Sequence, residues 1–270
     1  MDSRRVMFVV RKDLKELTSN RMVVLPMIIV PLIFCILLPG VVAGLGLGLN
    51  SLDMVNGADL LKKVVDFYPI PASLTIMTHK IVFVILNFTF IPMFMVVPLM
   101  VATIISANAI VGEKERKTLE TLLYTPITNR EFIVAKLSGA FIPAFAAALV
   151  GFVGYFIVGN LVSFLIIHQL VIRSWIWLPA MLLLAPAVSL LGLTTTLFVS
   201  LKAKTFMEAQ QTAGIIVLPL VLLVVVQVTG VVIFNALYLV IFSLVVLAID
   251  YILIVRVLPR FTREGIISTL

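Results

Sequence analysis

The sequence predicts an all-α membrane protein with six transmembrane helices, and three observations carry that expectation. Hydrophobic residues fill 62% of the 270 positions and charged residues only 12%, about half the roughly 25% typical of soluble domains. The apolar residues fall in uncharged runs that cross a bilayer core of about 30 Å as helices, whereas barrel strands would alternate over about 10 residues. Lys and Arg divide unevenly over a six-span path, sixteen on one side and four on the other. That asymmetry satisfies the positive-inside rule with both termini in the cytoplasm. Residues 1–270 are therefore expected to form one membrane domain: an amphipathic interfacial helix 1–21, a six-helix body 22–258 and a cytoplasmic tail 259–270.

Residues 1–21 carry Arg4, Arg5, Arg11, Lys12, Lys15 and Arg21 against Asp2, Asp13 and Glu16. Val6, Val9, Val10, Leu14 and Leu17 recur near the spacing of one helix face. This predicts a helix lying in the headgroup layer and ending at Ser19-Asn20. Its charge excludes a cleaved signal peptide, so the first span is expected to serve as its own insertion signal.

The first span is read as Met22–Leu49, with kinks at Pro26, Pro31 and Pro39-Gly40. Residues 50–80 form a mixed loop, in which Gly57–Phe67 is read as a short surface helix. The second span lies within Ile81–Val111, 31 uncharged residues. At about 1.5 Å per residue such a helix exceeds the bilayer core, so it must tilt, kink at Pro92 or Pro98, or project into water. The third span is read over about Phe132–Val158, opened by the capping box Thr128-Asn129-Arg130-Glu131. A weakly polar connection, Gly159–Ser174, leads to the fourth span at about Trp175–Leu201, where Trp175 and Trp177 suit an interface belt. A second capping box, Thr205-Phe206-Met207-Glu208, opens the fifth span. Ala209–Ile249 holds 41 uncharged residues, enough for two spans with a hairpin near Thr229-Gly230 and Asn235. The sixth span runs to about Leu258.

Between the second and third spans lies a charged island, Gly112–Glu131. It carries Glu113, Glu115, Glu120 and Glu131 against Lys114, Arg116, Lys117 and Arg130. Leu119, Leu122 and Leu123 give a short helix one apolar stripe, and Pro126 stops it. A mixed-charge helix with a leucine stripe suits a protein partner better than an anionic lipid surface. Lys202, Lys204 and Glu208 in the next cytoplasmic loop offer a second contact.

Several function classes are excluded or weakened. No GxxxxGK[ST] loop is present, so ATP is not bound that way. There is no HExxH motif and no Cys/His cluster, and no metal site is expected. The net charge of +7 follows from membrane orientation, so no nucleic-acid partner is expected. Cys35 is read as a packing residue, and the membrane Ser and Thr residues as bonding their own helix backbone. Asp250 is the one acidic residue well inside a span, which makes it the intramembrane functional candidate. Packing by hydrogen bonding is its competing reading. A secondary carrier or channel using Asp250 and a non-transporting scaffold remain the alternatives.

The segment Gly112-Glu113-Lys114-Glu115-Arg116-Lys117-Thr118-Leu119-Glu120-Thr121-Leu122-Leu123, with Pro126 after it, resembles the cytoplasmic motif of type-2 ABC transporter permeases. The resemblance extends over nearly the whole chain, including the segment Glu208-Ala209-Gln210-Gln211, and is closest to the sodium-export-like group. It implies an ABC exporter whose membrane path is a dimer of two permeases, a second copy or a paralogue. It implies two separate ABC ATPase subunits that carry ATP and magnesium, with no cofactor bound by this chain and no catalytic residue in it. It implies that the island is the coupling helix, and that the chain resides in the plasma membrane of a bacterium or archaeon. Several members of that family carry a sizeable outer segment between the fifth and sixth spans. Here only a short hairpin fits, so any outer gate would draw on residues 50–80 instead.

Overall fold

A computed structural model describes residues 3–42, 65, 67–117, 128–170, 172, 175–200, 202–228 and 235–257. All secondary structure among them is helical. The amphipathic helix α1 spans Ser3–Ser19. Six helices long and apolar enough to cross a membrane follow: α2 (Val23–Val42), α3 (Met77–Glu115), α4 (Asn129–Ile167), α5 (Trp177–Ser200), α6 (Phe206–Gln227) and α7 (Ala236–Val257). The expected surface helix Gly57–Phe67 falls almost wholly outside the described residues. So do the hairpin at Thr229-Gly230 and the tail 259–270.

The second span, α3, is the centre of the bundle. In α3 78% of the most apolar window is buried, against 22% in α2, 33% in α4, 17% in α6 and 22% in α7, with α5 next at 56%. The peripheral helices turn their apolar outer faces to lipid, as a bilayer-embedded chain permits. Helix α3 packs on α5, α4, α6 and α2, while α7 lies against α5 and α1 against α4. At 39 residues, about 58 Å of helix, α3 projects well past the hydrocarbon core. It reaches water as one unbroken helical rod, with no break where the charged island begins.

Among the described residues, helical geometry is locally widened at four places. Turns of π-helix occupy Leu32–Leu37, Ile85–Thr89, Asn108–Gly112 and Ala180–Leu184. Three lie just ahead of prolines whose i−4 carbonyls fall inside the turn: Pro39 after the first, Pro92 after the second and Pro186 after the last. A proline removes one N–H and its ring crowds the carbonyl four residues earlier, and a π-turn relieves that crowding. The widened turn of α3 offers a carbonyl, and the buried Tyr155 hydroxyl donates to Leu86 O. Tyr155 also lies 4.8 Å from Trp177 and 5.4 Å from Phe90, ring centre to ring centre. Helix α6 is interrupted at Ile215–Ile216, one turn before Pro219, for the same steric reason.

Two local expectations change. Gly159–Ile167 continues α4 instead of forming a connection. Asn160 explains how: its side chain accepts from Ile172 N at 3.1 Å, bonding the returning chain to the helix. The helix ends at His168, which adopts the left-handed conformation at φ 55°. Trp175 is exposed as a belt residue should be, but Trp177 is buried beside Phe94 and Phe152. Two residues apart on a helical turn, the rings cannot face the same way. Cys35 is buried, as a packing residue is.

Helices α3 and α5 meet closely at Gly192. A Cβ there would lie 2.9 Å from Leu99 Cδ1 and 3.0 Å from Leu99 O. The obstructing oxygen is backbone, so no rotamer change relieves it. Gly192→Val is expected to cost about 1–3 kcal/mol, read as a lowered unfolding midpoint in detergent. Gly214→Ala, where a Cβ meets nothing within 4 Å, should leave the midpoint unchanged or slightly raised.

Candidate functional site

The charged end of α3 is held between four other elements, and each motif residue makes a different bond. Gly112 closes the second π-turn of α3, Asn108–Gly112; a Cβ on it would sit 2.8 Å from Asn108 Oδ1. Asn108 Oδ1 accepts from Asn20 Nδ2 at 3.1 Å and from Arg116 Nη2 at 3.0 Å. Glu113 points inward and is 1% exposed. Its Oε1 accepts from Lys12 of α1 and lies 3.0 Å from Lys136 Nζ of α4. Lys114 Nζ donates to Ser200 O at the end of α5, at 3.2 Å. Glu115 Oε1 accepts from Phe206 N at 2.9 Å, binding an N–H that the first turn of α6 leaves open. Arg116 pairs with Glu16 of α1.

Lys136 is the hub. It is 1% exposed, 3.0 Å from Asp13 Oδ1 and 3.0 Å from Glu113 Oε1. Its ammonium also lies 5.8 Å from the centre of the Phe132 ring. Three carboxylates, Asp13, Glu16 and Glu113, place oxygens within 4.8 Å of one another. Lys12, Lys136 and Arg116 interleave with them, so the cluster is neutral without a bound metal. Burial raises Asp13 above 3.8; the Lys136 charge opposes that rise and the Glu113 charge adds to it. Burial pulls Lys12 down, but the Glu113 hydrogen bond and the charges of Glu113, Asp13 and Glu16 outweigh it and hold Lys12 above 10.5.

Of the residues singled out from sequence, Glu113 faces inward, Lys114 is half-buried, and Glu115, Arg116 and Lys117 reach the surface. Lys117 adopts φ 56°, the left-handed conformation that ends a helix. Leu119, Glu120, Leu122, Leu123 and Pro126 lie outside the described residues. The Thr128 capping box is present: Thr128 N donates to Glu131 Oε2 at 3.0 Å and Glu131 N to Thr128 Oγ1 at 3.3 Å. Lys202, Lys204 and Glu208 are exposed on the same end of the bundle as Glu115. Glu208 accepts from Lys204 N at 2.8 Å and so helps start α6. A polar cavity of about 440 Å³ opens there, lined by Asn20, Arg21, Asn108, Arg116 and Phe206.

Asp250 lies apart from this cluster. It is 2% exposed, and its Oδ1 accepts from Thr194 of α5 at 3.2 Å. Its Oδ2 meets no hydrogen-bond donor among the described residues. Thr194, Thr195 and Thr196 also bond back to their own helix.

Sequence reasoning missed the clasp itself. Asp13 falls in phase with Val6, Val9, Val10 and Leu17, so a carboxylate sits on the face that α1 buries. Lys136 lies two turns into an apolar helix. A charge in each place demands an opposite charge, and that was the available signal.

Lys136→Met leaves Asp13 and Glu113 buried without their shared cation. It is expected to destabilise the folded protein by about 3–5 kcal/mol, read from unfolding in detergent, with part of the loss recovered when Asp13→Asn is added. The Asp13 and Lys12 contributions have a definite sign. Both are shifted upward, so the folded state holds these two protons more tightly than the unfolded state, whereas burial shifts Lys114 downward and acts in the opposite sense. Stability falls as pH rises from 3.8 through Asp13 and again as it rises above 10.5 through Lys12. Lys12→Met should remove the alkaline decline and Asp13→Asn the acidic one.

Residues 7–259 match a family model described as ABC-2 family transporter protein. No curated protein matches the chain. The matched region contains α2 to α7 and every residue of the clasp. The chain belongs to the ABC-2 transporter family and is a multi-pass membrane protein.

Proposed function

We propose that this chain is the permease subunit of an ATP-driven exporter, working as a dimer of two permeases. In this reading two separate ABC ATPase subunits dock from the cytoplasm on residues 112–131. The exposed Glu115, Arg116 and Lys117 and the leucine stripe Leu119, Leu122 and Leu123 make the contact, and Lys202, Lys204 and Glu208 make a second one. ATP and magnesium bind the partner, and hydrolysis occurs there. The membrane is the plasma membrane of a bacterium or archaeon, with both termini in the cytoplasm.

One observation carries this reading: the end of α3 is bonded to α1, α4, α5 and α6 at once. A force applied there reaches all four. A partner whose contacts differ between its own two states can thereby bias a two-state helix packing. The neighbouring cavity beside Arg116 and Phe206 has room for a partner side chain.

A carrier reading has its own observation, the open Oδ2 of buried Asp250. It requires transport without an ATPase and loss of transport in Asp250→Asn.

The deciding experiment is co-purification with the cognate ATPase and transport in proteoliposomes. Lys117→Glu and Leu119→Asp should insert normally, yet weaken ATPase capture and abolish ATP-dependent transport. Full capture and full transport in both variants would sink the docking assignment.

A further inference from the structure

An apolar groove of about 520 Å³ runs between α2 and α4, with α1 lining its charged-side end. Leu17, Met27, Leu32, Pro143, Ala147 and Gly154 line it. We propose that it holds one acyl chain of an anionic phospholipid from the leaflet on the clasp side, with the headgroup bound by Arg11 and Lys15 of α1.

Depth is the first argument. Along α4 the groove runs from Pro143 to Gly154, about 16 Å at 1.5 Å per residue. Half of a bilayer core is about 15 Å, so the groove is about as long as one leaflet is deep. Lining is the second. Apart from Thr18, every residue along the groove is apolar, which suits an alkyl chain. The α4 wall is built mostly from small residues, Pro143, Ala146, Ala147, Gly151 and Gly154, which leave the space open. A Cβ on Gly154 would meet only Ile36, at 3.7 Å and beyond.

Charge is the third argument. Leu14 and Thr18 line the mouth of the groove. On a helix, Arg4, Arg11 and Lys15 follow on the next stripe of the same face. All three are exposed, and Met7 and Phe8 beside them are 53% and 71% exposed. Exposed cations next to exposed apolar residues mark a helix seated at the headgroup level. The opposite flank of α1 carries Lys12 and Glu16, which are committed to the clasp. The basic stripe therefore faces lipid at the point where the groove opens.

The test uses the full chain in liposomes of equimolar phosphatidylglycerol and phosphatidylcholine, extracted and examined by native mass spectrometry. Wild type should retain one phosphatidylglycerol per chain. Gly154→Leu fills the groove and should lose it; Ala146→Leu, on the exposed wall, should do the same. Arg11→Gln with Lys15→Gln should keep a bound lipid but cut its preference for phosphatidylglycerol by about fivefold per charge removed. Equal retention of both lipids by wild type overturns the proposal, as does undiminished retention in both groove-filling variants. Loss of dimer in those variants with lipid retention unchanged assigns the groove to a second copy and also overturns it.

Discussion

The structure depends on one buried cation. Lys136 stands in a helix bounded by apolar residues, at 1% exposure, between two carboxylates that are themselves buried. A lone ammonium there would lose several kcal/mol of hydration. Asp13 and Glu113 offset that loss only if α1, the end of α3 and the base of α4 converge on one point. The residues concerned are 101 and 123 positions apart in sequence for the Lys12–Glu113 and Asp13–Lys136 bonds. The ion cluster thus specifies how three distant segments meet, which apolar packing within a bilayer would specify only weakly. Lipid tails are as apolar as leucine, so burial alone does little to choose one helix arrangement over another.

Around that point the chain uses backbone bonds as well as charge. Lys114 takes a carbonyl at the end of α5, and Glu115 takes an N–H at the start of α6. These are groups that helix ends leave unsatisfied. A short acidic and basic segment therefore serves as the terminus cap for two neighbouring spans. The same residues that give the segment its surface charge are largely spent inside the protein. Among the described residues of the segment, Lys117 is turned out by its left-handed backbone.

Helix α3 connects this segment to the far side of the membrane. It is the most buried helix, and its two π-turns lie near opposite ends. One receives the Tyr155 hydroxyl on Leu86 O, and the other holds Asn108 for Asn20 and Arg116. Each irregular turn is thus bonded by side chains from other elements. The rod is fixed at both ends by polar contacts and packed chiefly by aliphatic residues such as Ile91, Leu99 and Ile104 between them.

The amino-acid order alone determined the helical membrane class, the six spans, the break at Asn20 and the helix starts at Thr128 and Thr205, although only Thr128 forms the full capping box, because the Glu208 carboxylate accepts from Lys204 N instead of Thr205 N. Those follow from local physics: runs of apolar residues, proline and cap chemistry act over a few turns. It also singled out Gly112–Glu131 as the segment to watch. What it could not supply was the inward turn of Glu113, the burial of Trp177, the continuation of α4 through Gly159–Ile167, or the partnership of Asp13 with Lys136. Each depends on which face of a helix meets which neighbour, and neither composition nor periodicity holds that information. Two unpaired charges on apolar faces pointed to a missing partner, and only the tertiary structure, by bringing α1 against α4, decided that they were partners of each other.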